Sequence, residues 1–184
     1  MIGYDLFQLN HLQKHRVEKY SFEISYPSHY RDNQKEEEEL DYTSRVKITV
    51  SGEEIANEME SLKMSENVIS VKSNYRKMRM LVDAISVPKS TLDIEEICKR
   101  HIVMFRIYNE EAKIKESRID KEIINQQEVG KVEITVEGKE NDSKVVAYLL
   151  SLADKEITVT FIMPESEYST NQKEIEKIMN SIKF

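Results

Sequence analysis

Residues 20–30 read YSFEISYPSHY, and this stretch is the strongest indication of the fold. From Tyr20 to Tyr26 every second side chain is aromatic or aliphatic, and the side chains between them are Ser or Glu. This alternation is typical of a β-strand that buries one face and exposes the other. Pro27 cannot donate a hydrogen bond to a neighbouring strand, so we expect the strand to end there.

Similar strand patterns recur along the chain. The alternating segments are residues 46–50, 132–136 and 157–163. Residues 78–87 and 145–152 carry apolar side chains on both faces, which indicates central strands that are covered on each side. The sequence therefore predicts a sheet in which many strands follow one another directly.

Helical spacing of apolar residues predicts helices between some of these strands. The predicted helices cover residues 51–62, 93–105 and 169–182, with a further short helix at residues 4–15. The C-terminal half of the second helix could instead form a strand, and residues 110–125 carry no clear pattern. No linker or repeat divides the chain. We therefore expect one α+β domain over residues 1–184, an antiparallel sheet flanked by helices, with residues 1–15 as a helical extension.

The charge of the chain limits the classes of partner. The 184 residues carry a formal net charge of −7, which is a poor match for the phosphates of nucleic acid. The acidic block at residues 35–41 is either a solvated loop or an acidic docking loop. Repulsion between like charges in a row favours the solvated loop. We expect no nucleic-acid partner.

The single cysteine, Cys98, excludes an intramolecular disulfide and suits a reducing compartment. The N-terminus has no charged segment followed by an apolar one, and no run reaches the roughly 18 apolar residues that cross a membrane. We therefore expect a cytoplasmic protein without a membrane span. The alternative is an extracytoplasmic domain whose leader has been removed.

Each pattern that would indicate a catalytic or metal site is weak. The glycines are scattered, which argues against a phosphate-binding loop. His11 and His15 would share one face of a helix, but Leu12 stands where a zinc protease has its glutamate, so a solvated pair is favoured over a metal site. Cys98 and His101 lie in an apolar stripe, where packing is favoured over a thiol–imidazole pair. We expect no catalytic residues, metal or cofactor.

A candidate interaction surface lies where the first strand ends. Tyr26, His29 and Tyr30 cluster around Pro27, and the chain contains no tryptophan. Tyrosines are then its best candidates for interface anchors. The alternative interpretation is that these tyrosines cap the core while Pro27 turns the chain.

The two ends of the sequence resemble the PsbP-like superfamily. Residues 20–30 are similar to the opening of such domains, in which an alternating strand ends in Tyr-Pro and an aromatic residue follows, here Tyr30. The closing part is similar as well, with a strand over residues 158–163, then Pro164, Tyr168 and a helix that ends in NSIKF. The resemblance implies an α/β/α sandwich with an antiparallel sheet. Its members include photosystem II extrinsic subunits, a Ran-binding import factor, DcrB-type lipoproteins and chaperones of secreted effectors.

These members share binding rather than catalysis, which implies a role of the same kind here. The first hypothesis is a bacterial, non-catalytic protein-binding domain of the adaptor or chaperone type, whose partner is another protein. The second is a lipoprotein-type domain that acts outside the cytoplasm. An enzyme is the third and least favoured hypothesis, because fold analogy cannot select a role and no catalytic pattern is present.

Overall fold

The computed structural model describes residues 11–32, 66–73, 75–87, 93–138 and 140–184. The strands within these ranges are β1 (Leu12–Val17), β2 (Phe22–Pro27), β3 (Arg31–Asp32), β4 (Glu66–Ser73), β5 (Met78–Ser86), β6 (Ile114–Ile124), β7 (Gln127–Val136), β8 (Ser143–Ser151) and β9 (Lys155–Pro164). The helices within them are α1 (Ile94–Tyr108) and α2 (Tyr168–Met179), and short 3-10 turns occupy Glu18–Tyr20 and Glu165–Glu167.

In the described part of the chain, seven strands form one sheet in the order β3-β4-β5-β9-β8-β7-β6, and β1 and β2 form a separate hairpin. Every strand of the sheet is antiparallel to its neighbours. β9 lies between β5 and β8, so the last described strand is the middle strand of the sheet. The predicted class, an α+β fold with an antiparallel sheet flanked by helices, is confirmed.

Both faces of the sheet are covered. One face, which we call the hairpin face, packs against the β1–β2 hairpin and α2 and buries the larger apolar cluster. Within that cluster the rings of Tyr148 and Phe161 meet edge to face, with centroids 6.2 Å apart. The other face, the α1 face, packs against α1 and contains a second cluster. The described part of the chain is therefore a sandwich with the sheet in the middle.

α1 starts with a capping box at Asp93. The Asp93 carboxylate accepts a hydrogen bond from the Glu96 N–H (2.9 Å), and the Glu96 carboxylate accepts one from the Asp93 N–H (3.3 Å). These bonds satisfy donors that a helix start leaves without partners. The helix continues to Tyr108, so the alternative that its C-terminal half forms a strand is wrong.

α1 approaches the sheet closely at Gly130 of β7. A Cβ atom at Gly130 would overlap the Sγ of Cys98 and lie 3.1 Å from Cγ1 of Ile94. Cys98 is fully buried between helix and sheet. Because Gly130 has no side chain, α1 can pack directly against the backbone of β7.

The hairpin connects the two ends of the described chain. Glu23 of β2 and Lys183 exchange backbone hydrogen bonds of 2.8 and 2.9 Å. The Ser181 hydroxyl accepts a bond from the Ser25 N–H (2.8 Å) and lies 2.9 Å from the Ser25 carbonyl oxygen. Residues that are far apart in sequence thus close the hairpin face together.

The predicted helix at residues 4–15 is wrong from Leu12 to His15, which belong to β1. The register of the hairpin places Leu12 opposite Pro27 and Val17 opposite Phe22. Pairing with β2 satisfies the backbone of this segment, and Val17 is the buried residue of the strand. Because β1 is extended, His11 and His15 do not share a helix face. Residues 1–10 lie outside the described residues.

Three of the predicted strands are present in the structure. The strands predicted at residues 132–136, 145–152 and 157–163 coincide with parts of β7, β8 and β9, and β8 is buried on both faces. β5 buries its hairpin face fully and its α1 face only by half. The strand predicted at residues 46–50, the helix at 51–62 and the acidic block at 35–41 lie outside the described residues.

Candidate functional site

A group of polar and aromatic side chains lies at the corner where β2 ends. The Tyr30 hydroxyl donates a hydrogen bond of 2.8 Å to Oε1 of Glu174, and Nε of Arg76 lies 3.2 Å from Oε2 of the same carboxylate. Nε2 of His29 is 3.5 Å from Glu174 Oε1. The side chains of His29 and Glu174 are each only 9% exposed. We call His29, Tyr30, Arg76 and Glu174 the corner cluster.

Three elements bring the corner cluster together. The Tyr30 N–H donates to the Pro27 carbonyl (3.1 Å), which forms the turn that carries His29. Glu174 projects from α2, and Arg76 lies in the turn between β4 and β5. Asn171, one turn before Glu174 on α2, donates to the Arg76 carbonyl (3.1 Å) and so holds that turn against the helix.

The corner cluster keeps its carboxylate charged. Burial alone would raise the pKa of Glu174, but contacts with His29 and Tyr30 and the charge of Arg76 outweigh it and lower that pKa. Burial, followed by the nearby Glu174 charge, raises the pKa of Tyr30 far above its ordinary value. Glu174 is thus a weak base and Tyr30 a weak acid. The arrangement fixes charges in place and is poorly suited to proton transfer near neutral pH.

The accessible part of this corner is Tyr75, whose residue is 60% exposed. Its ring meets the His29 ring nearly at a right angle, with centroids 6.1 Å apart. The guanidinium carbon of Arg76 lies 5.1 Å from the centre of the same ring. An exposed tyrosine therefore rests on side chains that the buried Glu174 holds in position.

A series of ring contacts connects the predicted interaction residues to Tyr75. Tyr26 and Tyr30 are buried, with rings 6.1 Å apart in an edge-to-face contact, and His29 lies between Tyr30 and Tyr75. The two buried tyrosines match the interpretation that they cap the core. That a partner binds at this corner stays a prediction.

The sequence reasoning missed Tyr75, Arg76 and Glu174. Tyr75 and Arg76 lie in a turn about 45 residues after Tyr30, and Glu174 lies in the last helix. Their proximity depends on the strand order, which the sequence does not state. The sequence feature that could have indicated this site is Tyr75 followed by the basic residues Arg76 and Lys77.

A second group of charges lies on the hairpin face beside the start of α2. Glu133 accepts a hydrogen bond from the Tyr168 hydroxyl, and its two oxygens lie 3.2 Å from Lys131 Nζ and 3.1 Å from Lys144 Nζ. We call these four residues the Glu133 cluster. Its three charged side chains are only 11–15% exposed.

The Glu133 cluster is also held in its charged form. Burial would raise the pKa of Glu133, but hydrogen bonds from Tyr168, Lys144 and Lys131 lower it. Burial opposes the charge on Lys131, yet the surrounding tyrosines and carboxylates raise its pKa. An ammonium group that stays protonated is not a nucleophile, so this cluster is a structural ion-pair network.

The remaining candidates from the sequence do not assemble into a reactive site. Burial raises the pKa of Cys98 to about 11 and lowers the pKa of His101 to about 4, so a thiolate–imidazolium pair is disfavoured. His11 and His15 are exposed. Among the described residues no three His, Cys, Asp or Glu side chains are grouped as metal ligands.

No helix in the described part of the chain has the length and apolar character needed to cross a membrane.

Comparison with solved structures identifies the fold. The structure of cyanobacterial PsbP (CyanoP) from Synechocystis superposes with a TM-score of 0.60 at 15% identity, over 94% of this chain and 91% of that one. The chain has the PsbP-like fold. The predicted resemblance is therefore confirmed at the level of architecture.

Two further solved structures share this PsbP-like fold. An immunity protein of the type VI secretion system of Pseudomonas aeruginosa, complexed with a peptide, has a TM-score of 0.53 at 10% identity and covers 95% of this chain and 98% of its own. A Bacteroides thetaiotaomicron protein has a TM-score of 0.52 at 10% identity, over 93% of this chain and 47% of its own. No protein-family model and no curated protein sequence matches the chain. At these identities the likenesses show a shared fold.

Proposed function

We propose that this chain is a non-catalytic protein-binding domain of the adaptor or chaperone type. The observation that carries the proposal is Tyr75, an exposed ring that contacts both His29 and Arg76. The proposed docking surface is centred on this ring. The predicted residues support it from the interior, with His29 in contact with Tyr75 and with Tyr30 and Tyr26 packed behind His29.

The contacts that hold the Tyr75 ring in position support this proposal. A side chain that is already fixed loses little conformational freedom when a partner binds. Arg76 lies over the ring and is itself held by Glu174 at 3.2 Å. Tyrosine and arginine are among the residues most enriched at the energetically important positions of protein interfaces. The corner thus presents an anchor of the kind that interfaces use.

The state of the buried charges supports binding rather than catalysis. Glu174 and Glu133 both have lowered pKa values because neighbouring donors and cations outweigh their burial. Neither carboxylate is poised to accept or donate a proton at neutral pH. The immunity protein that shares the fold is complexed with a peptide, which supports a binding role for this architecture.

The proposal includes a cytoplasmic location and a single domain over residues 1–184. The cytoplasmic location is supported by Cys98, which is buried and unpaired among the described residues. Fractionation of the native cells tests the location: the chain should be recovered in the soluble cytoplasmic fraction. Recovery as a lipid-modified, membrane-attached form would instead establish the lipoprotein alternative.

Photocrosslinking in the native cells tests the docking surface. A photoreactive phenylalanine derivative at position 75 should crosslink one specific protein, whereas the same group at Val103, which is 52% exposed on α1, should not. The purified partner should then bind the Tyr75→Ala variant about tenfold or more weakly, and the Val103→Ala variant with unchanged affinity. Equal crosslinking from both positions, or equal affinity of both variants, would contradict the proposal.

A further inference from the structure

Within the described residues, the two edges of the sheet differ greatly in length. β3 forms one edge and is two residues long, whereas β6 forms the other and is eleven residues long. Within the described residues β6 pairs with β7 on one side only. A long, regular edge strand presents a row of backbone donors and acceptors to which another extended chain can bind.

The turn between β6 and β7 determines which groups of β6 point outward. The turn residues Asn125 and Gln126 have φ values of 50° and 68°, as a type I′ turn of two residues requires. Ile124 and Gln127 are therefore a hydrogen-bonded pair, and the pairs alternate from there along the ladder. The N–H and C=O groups that point away from β7 belong to Ser117, Ile119, Lys121 and Ile123.

The side chains along this edge have a different character on each face. Ile119 packs on the α1 cluster, and Ile123 on the same face is 71% exposed. Lys121 lies between them and pairs with Glu95 of α1 at 3.7 Å. The hairpin face of β6 carries a mainly acidic row, which consists of Glu116, Arg118, Asp120 and Glu122. An added strand would therefore meet two isoleucines and an ion-paired lysine on one of its faces and net negative charge on the other.

We propose that the β6 edge accepts an extended segment of another protein as an eighth strand of the sheet. The segment alternates between aliphatic side chains, which lie against Ile119 and Ile123, and Lys or Arg side chains, which face the acidic row. Main-chain hydrogen bonds to the outward groups of β6 supply affinity, and the alternation supplies specificity. This site is distinct from the corner at Tyr75 and goes beyond the proposed function.

Charge favours a basic partner over a second copy of this chain. An antiparallel copy that preserves both faces can place Ile119 opposite itself. Arg118 then faces Asp120 of the other copy favourably, but Glu116 faces Glu122. Like charges that are directly opposite destabilise a strand pair. Each copy also carries a net charge of −7. A segment that contributes Lys or Arg along this row faces three carboxylates and one cation, Arg118, so its net interaction with the row is attractive.

A synthetic peptide of alternating valine and lysine is the probe for this site, and its valine–glutamate counterpart is the matched control. We expect the basic peptide to bind at least about tenfold more tightly than the acidic one. On binding, the amides of Ser117, Ile119, Lys121 and Ile123 should change from fast to slow hydrogen exchange. Binding that leaves these amides unprotected, or equal affinity for both peptides, would overturn the proposal.

A proline substitution tests the edge independently. Ser117→Pro removes an outward N–H that β7 does not use, so the fold tolerates it, while Ser117→Ala keeps that donor. The proline variant should bind the basic peptide about tenfold or more weakly than the alanine variant. Similar affinities, or dimerisation of the chain alone that Ser117→Pro abolishes, would contradict a heterologous partner at β6. Tyr75→Ala should leave peptide binding unchanged, so this test and the test of the corner can fail separately.

Discussion

Glu174 is a buried carboxylate that connects three parts of the molecule. It accepts from Tyr30 of the β2 turn and pairs with Arg76 of the β4–β5 turn, and it belongs to α2. We expect Glu174→Gln to lower the free energy of unfolding at pH 7 by roughly 1–3 kcal/mol, because Arg76 and Tyr30 lose a charged acceptor. Urea unfolding measures this loss. The matched control is Glu176→Gln, an exposed position on the same helix, which should be nearly neutral.

The effect of Glu174 depends on pH with a definite sign. Its pKa in the folded chain is lowered below the value of an unfolded glutamate, about 4.3. Its contribution is therefore complete above that value and is lost as the pH falls through the folded pKa. The difference in stability between Glu174→Gln and the unsubstituted chain should narrow below about pH 4. A difference that stays constant down to pH 3 would show that the charge of Glu174 does not stabilise the fold.

Gly130 and Cys98 form a pair that a double-mutant cycle can test. Gly130→Ala places a methyl group onto the Cys98 sulfur and should destabilise the fold by about 1–3 kcal/mol. Cys98→Ala removes the sulfur, so the double variant should recover part of that loss, with a coupling of about 1 kcal/mol or more. Additive effects in chemical denaturation would mean that α1 does not press on β7 at this point.

Among the secondary-structure elements, those with a strong local signal were predicted correctly. Strict alternation identified β2, β7 and β9, and a fully apolar run identified β8. β4 was missed because a bulge between Asn67 and Ile69 interrupts its alternation. β1 and β6 were missed because many of their residues are exposed, so the buried pattern that marks a strand is weak. Both are strands because each pairs with a neighbour across a short turn.

The turn between β6 and β7 gave no sequence signal because it lacks glycine. Gln126 adopts φ 68°, which an L-residue with a side chain adopts at a cost. Asn125 has a second role, since its side chain donates to the Ile182 carbonyl oxygen at 2.6 Å. The turn is thus supported by a contact with the end of the described chain, which a local reading cannot detect.

Relief of this backbone strain should stabilise the chain. We expect Gln126→Gly to raise the free energy of unfolding by about 0.5–1 kcal/mol, since glycine adopts a positive φ without steric cost. Glu128→Gly, at an exposed position in β7, is the control and should lower it by a similar amount. Thermal and urea unfolding measure both changes. A loss of stability in Gln126→Gly would contradict the type I′ turn.

The candidate site depends on the whole molecule, and for that reason the sequence indicated only part of it. Tyr26, His29 and Tyr30 are close in sequence, so their cluster could be predicted. Whether their rings are exposed depends on α2 and on the β4–β5 turn, which cover them from distant parts of the chain. That Tyr75 lies next to His29 can be recognised only when the strand order is known.

The two buried carboxylates together predict how the molecule responds to acid. Glu133 and Glu174 both have lowered pKa values, so the native state binds fewer protons than the unfolded state between roughly pH 3 and 5. The melting temperature should therefore fall as the pH is lowered through this range. The double variant Glu133→Gln with Glu174→Gln should be less stable at pH 7 and lose less on acidification. A melting temperature equally dependent on pH in both proteins would assign acid sensitivity to other groups.

The position of β9 and the bridge between Glu23 and Lys183 constrain when the protein can fold during synthesis. The middle strand of the sheet leaves the ribosome after every strand that must flank it, and the hairpin face cannot close until α2 follows. At about 5–20 residues per second, several seconds pass between the synthesis of β5 and that of β9, its partner on the side away from β4. The nascent chain therefore carries one unpaired edge of the apolar strand β5 while residues 87–154 are synthesised, and chaperones that bind such segments should associate with it during that interval.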